Sequence, residues 1–141
     1  MSVHTTNDSN AFIAVAEDCP VDVGTVPPER TPASVARLQY DMLVDAPYRY
    51  TSDEVLFGVH ALRTGVPASE MAAAWAVFFS RGQPCLRSSP LAKSYGWGFH
   101  FDGQGRVALV AAGTARYDEL VADGSLAQRR AMRRSRARST R

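Results

Sequence analysis

The stretch from Gln83 to His100 holds the densest collection of reactive and binding groups in the chain. It contains a thiol (Cys85), two cations (Arg87, Lys93), two hydroxyls (Ser88, Ser89), two polar aromatics (Tyr95, Trp97) and an imidazole (His100). The planar fork of Arg87 suits a carboxylate or a phosphate. Tyr95 and Trp97 could wall a flat ligand, and Gly96 and Gly98 would let a ligand or another backbone come close. Pro84 and Pro90 keep the backbone irregular there, and irregular segments beside rigid elements often carry binding residues. The expected ligand-binding set is therefore Cys85, Arg87, Tyr95, Trp97 and His100, for a small anionic or polar molecule. A catalytic thiol at Cys85 would need a nearby base, for which His100 is the candidate. No catalytic residue is assigned.

The same residues also read as packing. Trp97, Phe99 and Phe101 alternate along a strand and share one face, leaving Gly98 and His100 on the other. Aromatic stripes of that kind are usually core. Cys85, between Pro84 and Leu86, reads equally as a small buried apolar group. Asp18-Cys19-Pro20 poses a similar choice between a carboxylate–thiol site at a strand end and a plain turn in which Asp18 accepts backbone amides. Glu17 and Asp18 are neighbours on a strand, so they face opposite ways and make a poor acid/base pair.

Seven arginines (Arg129, Arg130, Arg133, Arg134, Arg136, Arg138 and Arg141) and no acid occupy residues 129–141. The rest of the chain carries nine basic and fourteen acidic side chains. The net charge of +2 therefore hides an acidic body and a basic tail. Arg129, Arg130, Arg133 and Arg134 could neutralise phosphates in a sequence-independent, salt-sensitive way. The other reading is a tail folded back on the acidic body, which would itself repel nucleic acid.

Elements that could position these groups follow from periodicity and caps. Residues 12–16 read as an interior strand, since Phe12-Ile13-Ala14-Val15-Ala16 lacks polar alternation. Thr31-Pro32 reads as a helix start, with Val35, Leu38, Met42 and Leu43 on the inner face. Thr51 to Glu54 matches a capping box, with Val55, Leu56, Val59 and Leu62 as the stripe and Gly65 as the stop. A third helix starts near Pro67, turns Met71, Ala74, Trp75, Phe78 and Phe79 inward, and stops at Gly82. Residues 97–101 and 106–110 form a hairpin around Asp102-Gly103-Gln104-Gly105. A short helix spans about 114–122. The fold class is α+β, one domain in the order β-α-α-α-irregular-β-β-α, with a small, mainly antiparallel sheet covered by helices and residues 12–16 paired to the hairpin. Residues 1–10 read as disordered, 11–128 as the folding unit, and 129–141 as a dispensable tail.

With 141 residues and 45% hydrophobic side chains, the chain fits one globular domain. No run approaches the roughly 18 apolar residues of a membrane span, and the N-terminus lacks a signal-peptide layout. The expected location is cytoplasmic, with Cys19 and Cys85 as free thiols. No metal set with zinc-ligand spacing, phosphate loop or dinucleotide fingerprint occurs, so neither a metal nor a cofactor is expected. His60 reads as a helix-boundary residue.

Several strings resemble a family of small bacterial proteins catalogued only as a domain of unknown function. They are Phe12 to Pro20 (FIAVAEDCP), Phe78 to Arg87 (FFSRGQPCLR), Tyr95 to His100 (YGWGFH), Asp53 to Phe57 (DEVLF) and Arg130 to Arg133 (RAMR). The likeness runs from about Asn10 to Ala137. It implies no established activity, cofactor or catalytic residue. Two functions are carried forward: a small-molecule site in residues 83–100, binding or weakly catalytic, and a nucleic-acid or protein-partner accessory role through the tail.

Overall fold

The computed structural model describes residues 4–135. Its centre is β1 (Ala11–Ala14), whose four residues are all buried. β1 pairs antiparallel with β3 (Trp97–Phe101), Ala11 beside Phe101, and parallel with β5 (Ala127–Arg130), Ala11 beside Ala127. β3 continues through the expected hairpin into β4 (Arg106–Ala111). The two-residue β2 (Tyr50–Thr51) adds to β4, which gives the sheet order β2-β4-β3-β1-β5. Every pairing is antiparallel except β1 with β5. Together with the helices this makes an α+β fold.

Both faces of the sheet are covered, which explains the unbroken apolar sequence of β1. On one face Ile13, Phe99, Phe101 and Val107 pack with Leu43, Val55 and Leu91. These come from α1 (Val35–Leu43), α2 (Ser52–Thr64) and α4 (Pro90–Ser94). On the other face Phe12, Ala14 and Val110 meet Leu120 of α5 (Ala115–Val121), with Tyr117 packed against them. A satellite cluster of Phe57, Ala61 and Phe79 lies under α3 (Met71–Phe78).

The capping box is formed as the sequence predicts. The Glu54 amide donates to Thr51 Oγ1 at 3.3 Å and the Thr51 amide to Glu54 Oε1 at 2.8 Å. Gly65 closes α2 at φ 70°, a left-handed conformation that an L side chain resists.

Other expectations are corrected. α1 is capped by Ser34, not Thr31, and buries Ala36, Gln39 and Leu43 rather than Leu38 and Met42. The inward turn of Gln39 is stabilised by the Ser89 hydroxyl, which donates to its side-chain oxygen inside the core. The segment expected to be irregular holds α4, whose cap is also Ser89. α3 buries none of its residues. Of its aromatic group only Phe79, just past its end, is fully buried at 1% exposed, whereas Trp75 is 36% exposed.

Both ends of the described chain are ordered against the domain. Residues 4–10 form a strap in place of the disordered N-terminus that composition suggested. The amide and hydroxyl of Thr6 each donate to Asp53 Oδ1 at 2.7 Å, and the Thr5 hydroxyl donates to Oδ2 at 2.7 Å. One buried carboxylate in the first turn of α2 thus anchors the strap, since a buried charge requires such donors. At the other end the arginine-rich segment begins as β5, so the boundary expected at residue 128 cuts through a strand. Ala131 follows at 4% exposed, with its amide donating to Ala14 O at 2.8 Å. A backbone ladder needs no apolar side chains, and all four residues of β5 are exposed.

Candidate functional site

Residues expected to converge lie instead on different sides of the sheet. Trp97 faces α1, stacks edge-on with Tyr40, and donates its indole N–H to Thr25 O at 2.9 Å. Tyr95 packs into the same cluster. His100 projects from the opposite face, as strand alternation requires. There its Nδ1 pairs with the Tyr48 hydroxyl at 2.6 Å. Burial, and then the charge of Arg116, push the His100 imidazole below its usual range. Arg116 is held beside Tyr48 and Glu119, which push its guanidinium up.

Arg87 is exposed and belongs to the β5 edge. Its Nε donates to Arg130 O at 2.7 Å, while its own carbonyl accepts the Met132 amide at 2.8 Å. Cys85 is half-buried and free, as is Cys19. The room at Gly96 and Gly98 is taken by the chain itself: a Cβ would strike Val23 O at Gly96 and the Phe12 ring at Gly98. The five residues therefore do not share one cavity.

The tail arginines meet body acids. Arg129 pairs with Asp8, its second nitrogen at 3.1 Å, and Arg133 pairs with Glu17 at 3.4 Å. Asp18 accepts the Arg134 amide at 2.9 Å and the Ser135 amide at 3.3 Å. The Arg134 amide is the main cause that holds the Asp18 carboxyl below the usual carboxylate range. Arg130 contributes its carbonyl to Arg87. Arg136, Arg138 and Arg141 lie outside the described residues.

A cleft of about 460 Å³ opens at the start of the expected segment, between α1, α2 and residues 83–84. Leu56, Val59, His60 and Arg63 recur at helical spacing along one face of α2, and Val35 and Gln39 do the same on α1. Phe78 forms an aromatic wall, its ring 4.6 Å from the His60 ring. Gln83 closes one end and is held by its side-chain amide on Phe78 O at 2.7 Å. Gln39 is 2% exposed. Its side-chain oxygen is engaged by Ser89, and no buried side-chain nitrogen or oxygen among the described residues lacks a partner. The residue lines the cleft beside Val35. The His60 ring makes no hydrogen bond among the described residues either, and Arg63 makes no ion pair there.

The cleft thus offers apolar walls, a cation and an imidazole, a composition suited to small-molecule recognition. Sequence reading missed it by treating His60 alone. The signal was the 56-59-60-63 spacing, which puts two polar groups beside two apolar ones on one helix face. Among the described residues no three of His, Cys, Asp and Glu cluster so as to hold a metal ion. No helix there is long and apolar enough to cross a membrane.

No curated protein and no solved structure matches the chain. A family model described as "Family of unknown function (DUF6157)" matches residues 3–137. That span takes in β1, the cleft and β5 together, and the chain belongs to this family.

Proposed function

We propose that the chain is a small-molecule-binding domain and that its ligand, an apolar body with an anionic or polar head, is held in the cleft between α1 and α2. The convergence of Arg63 and the His60 imidazole, whose ring makes no hydrogen bond among the described residues, with the apolar walls of one cleft carries this reading. A carboxylate or carbonyl in the cleft would accept from these polar groups while its apolar body meets the walls. Arg63 at the rim matches the charge of an anionic head. Leu56, Val59 and Phe78 receive the apolar part. The cleft touches the expected 83–100 segment only at Gln83 and Pro84, so the binding role moves from His100 and Arg87 to His60 and Arg63.

The test is a panel of aliphatic and aromatic monocarboxylates, with their uncharged amides as controls, titrated into the full chain and followed by NMR. Binding should shift resonances of Val35, Leu56, His60 and Phe78. Arg63→Ala should weaken carboxylate binding about tenfold and leave the amides nearly unchanged. If no member perturbs the cleft, or if perturbations gather around Arg87 and His100 instead, the assignment fails.

A further inference from the structure

The structure leaves its most apolar helix uncovered. α3 reads Met-Ala-Ala-Ala-Trp-Ala-Val-Phe, and none of its residues is buried. Val77 is 66% exposed, Met71 38%, and Leu62 on neighbouring α2 63%. Trp75 and Phe78 spend one side of their rings on Phe57, and Ala72, Ala73, Ala76 and Val77 are left in solvent. A contiguous apolar face of this kind marks an interaction surface.

Charges at its ends say what fits it. Glu70 precedes the helix and Arg81 follows it, and both border the same groove as Ala73, Ala74 and Val77. Neither makes an ion pair among the described residues. The ridge therefore carries a negative end, an apolar middle and a positive end. Turned end for end, that pattern is its own complement. A second copy laid antiparallel on the ridge sets Glu70 against the partner's Arg81, and Arg81 against the partner's Glu70. Ala74 then falls opposite the partner's Val77, and the two-fold axis passes between Trp75 and Ala76. Small side chains at 73 and 74 on that face let the two helix backbones approach to the closer end of ordinary helix spacing.

We propose that the chain forms an isologous dimer through α3, with two reciprocal Glu70–Arg81 pairs flanking an apolar seam. Self-complementarity is what a two-fold contact demands. α3 is about 12 Å long, so the interface sits at the small end of specific contacts and the dimer exchanges with monomer at micromolar concentrations.

Sedimentation velocity of the full chain over a concentration series tests this, with circular dichroism as the check on folding. Wild type should pass from monomer to dimer. Glu70→Arg alone, or Arg81→Glu alone, sets like charges together at both ends and should weaken association about tenfold or more. The double reversal E70R/R81E restores both pairs and should restore dimerisation. Both residues are exposed and outside the core, so the variants should fold. Val77→Glu places a charge in the seam and should also leave the chain monomeric. Wild type monomeric throughout the series would overturn the proposal and assign the face to a different protein. Dimerisation indifferent to the charge reversals, or a double reversal no better than either single one, would overturn the assignment to α3.

Discussion

Ending the chain at Gln128 removes a defined set of interactions. The last two positions of the β1–β5 ladder, Ile13 beside Arg129 and Ala14 beside Arg130, disappear. So do the bonds from the Ala131 amide to Ala14 O (2.8 Å), the Met132 amide to Arg87 O (2.8 Å) and Arg87 Nε to Arg130 O (2.7 Å). At about 0.5–1.5 kcal/mol net for each hydrogen bond, the three bonds alone amount to about 1.5–4.5 kcal/mol, before the ladder positions are added. The exposed pairs of Arg129 and Arg133 add at most about 1 kcal/mol each. Domains of this size are stable by about 5–15 kcal/mol, so the loss is a large fraction of the whole. It also bares the edge of β1, an apolar strand, to pairing with other chains. A chain ending at Ser135 keeps every one of these contacts and is the proper reference. Urea unfolding followed by circular dichroism should show the 1–128 chain with a much lower midpoint, and light scattering should show it aggregating. If the 1–128 chain matches the 1–135 chain to within about 1 kcal/mol, β5 is not part of the folding unit.

Phe79→Ala should cost about 3–5 kcal/mol, and Phe78→Ala clearly less, because only Phe79 is enclosed; equal losses in urea unfolding would contradict that ranking. The folded-state pKa of His100 lies below its ordinary value of 6.5, so the unfolded chain binds more protons. Stability from this residue is present above pH about 6.5 and declines as pH falls below it. His100→Gln should flatten that part of the stability–pH curve, and an unchanged slope would refute it. Asp18 is likewise depressed below 3.8, so its contribution is present above that pH and is lost on further acidification. Asp18→Asn should remove that acid-range loss, which thermal melts between pH 5 and 2 would detect. Thr51→Ala, which breaks the capping box, should cost about 1 kcal/mol.

Local signals carried the sequence reading wherever one element decides its own fate. The capping box at Thr51–Glu54, the glycine stop at Gly65 and the 97–110 hairpin depend on residues a few positions apart. The reading failed where a distant partner decides. The inward face of α1 depends on Ser89, which supplies the hydroxyl that lets Gln39 be buried where Leu38 and Met42 are only half-buried. The strap at Thr5 and Thr6 depends on Asp53, and β5 depends on the free edge of β1. Neither has the apolar alternation that marks a buried strand. The site was partly legible: alternation on β3 already separated His100 from Trp97, and that observation spoke against a common pocket. Helix spacing from Leu56 to Arg63 contained the cleft, but it becomes visible only when α1 and α2 are laid side by side.

The parallel pairing of β1 with β5 also has a consequence for how the sheet assembles. A strand completed near the start of synthesis finds one of its two neighbours only near the end, when residues 127–130 appear. Until then β1 has an open edge, and the hairpin that covers its other edge is itself a late product. Such long-range closure slows folding and keeps an apolar strand available to wrong partners while the chain grows. Residues 127–130 thus act as the latch that closes the β1 edge.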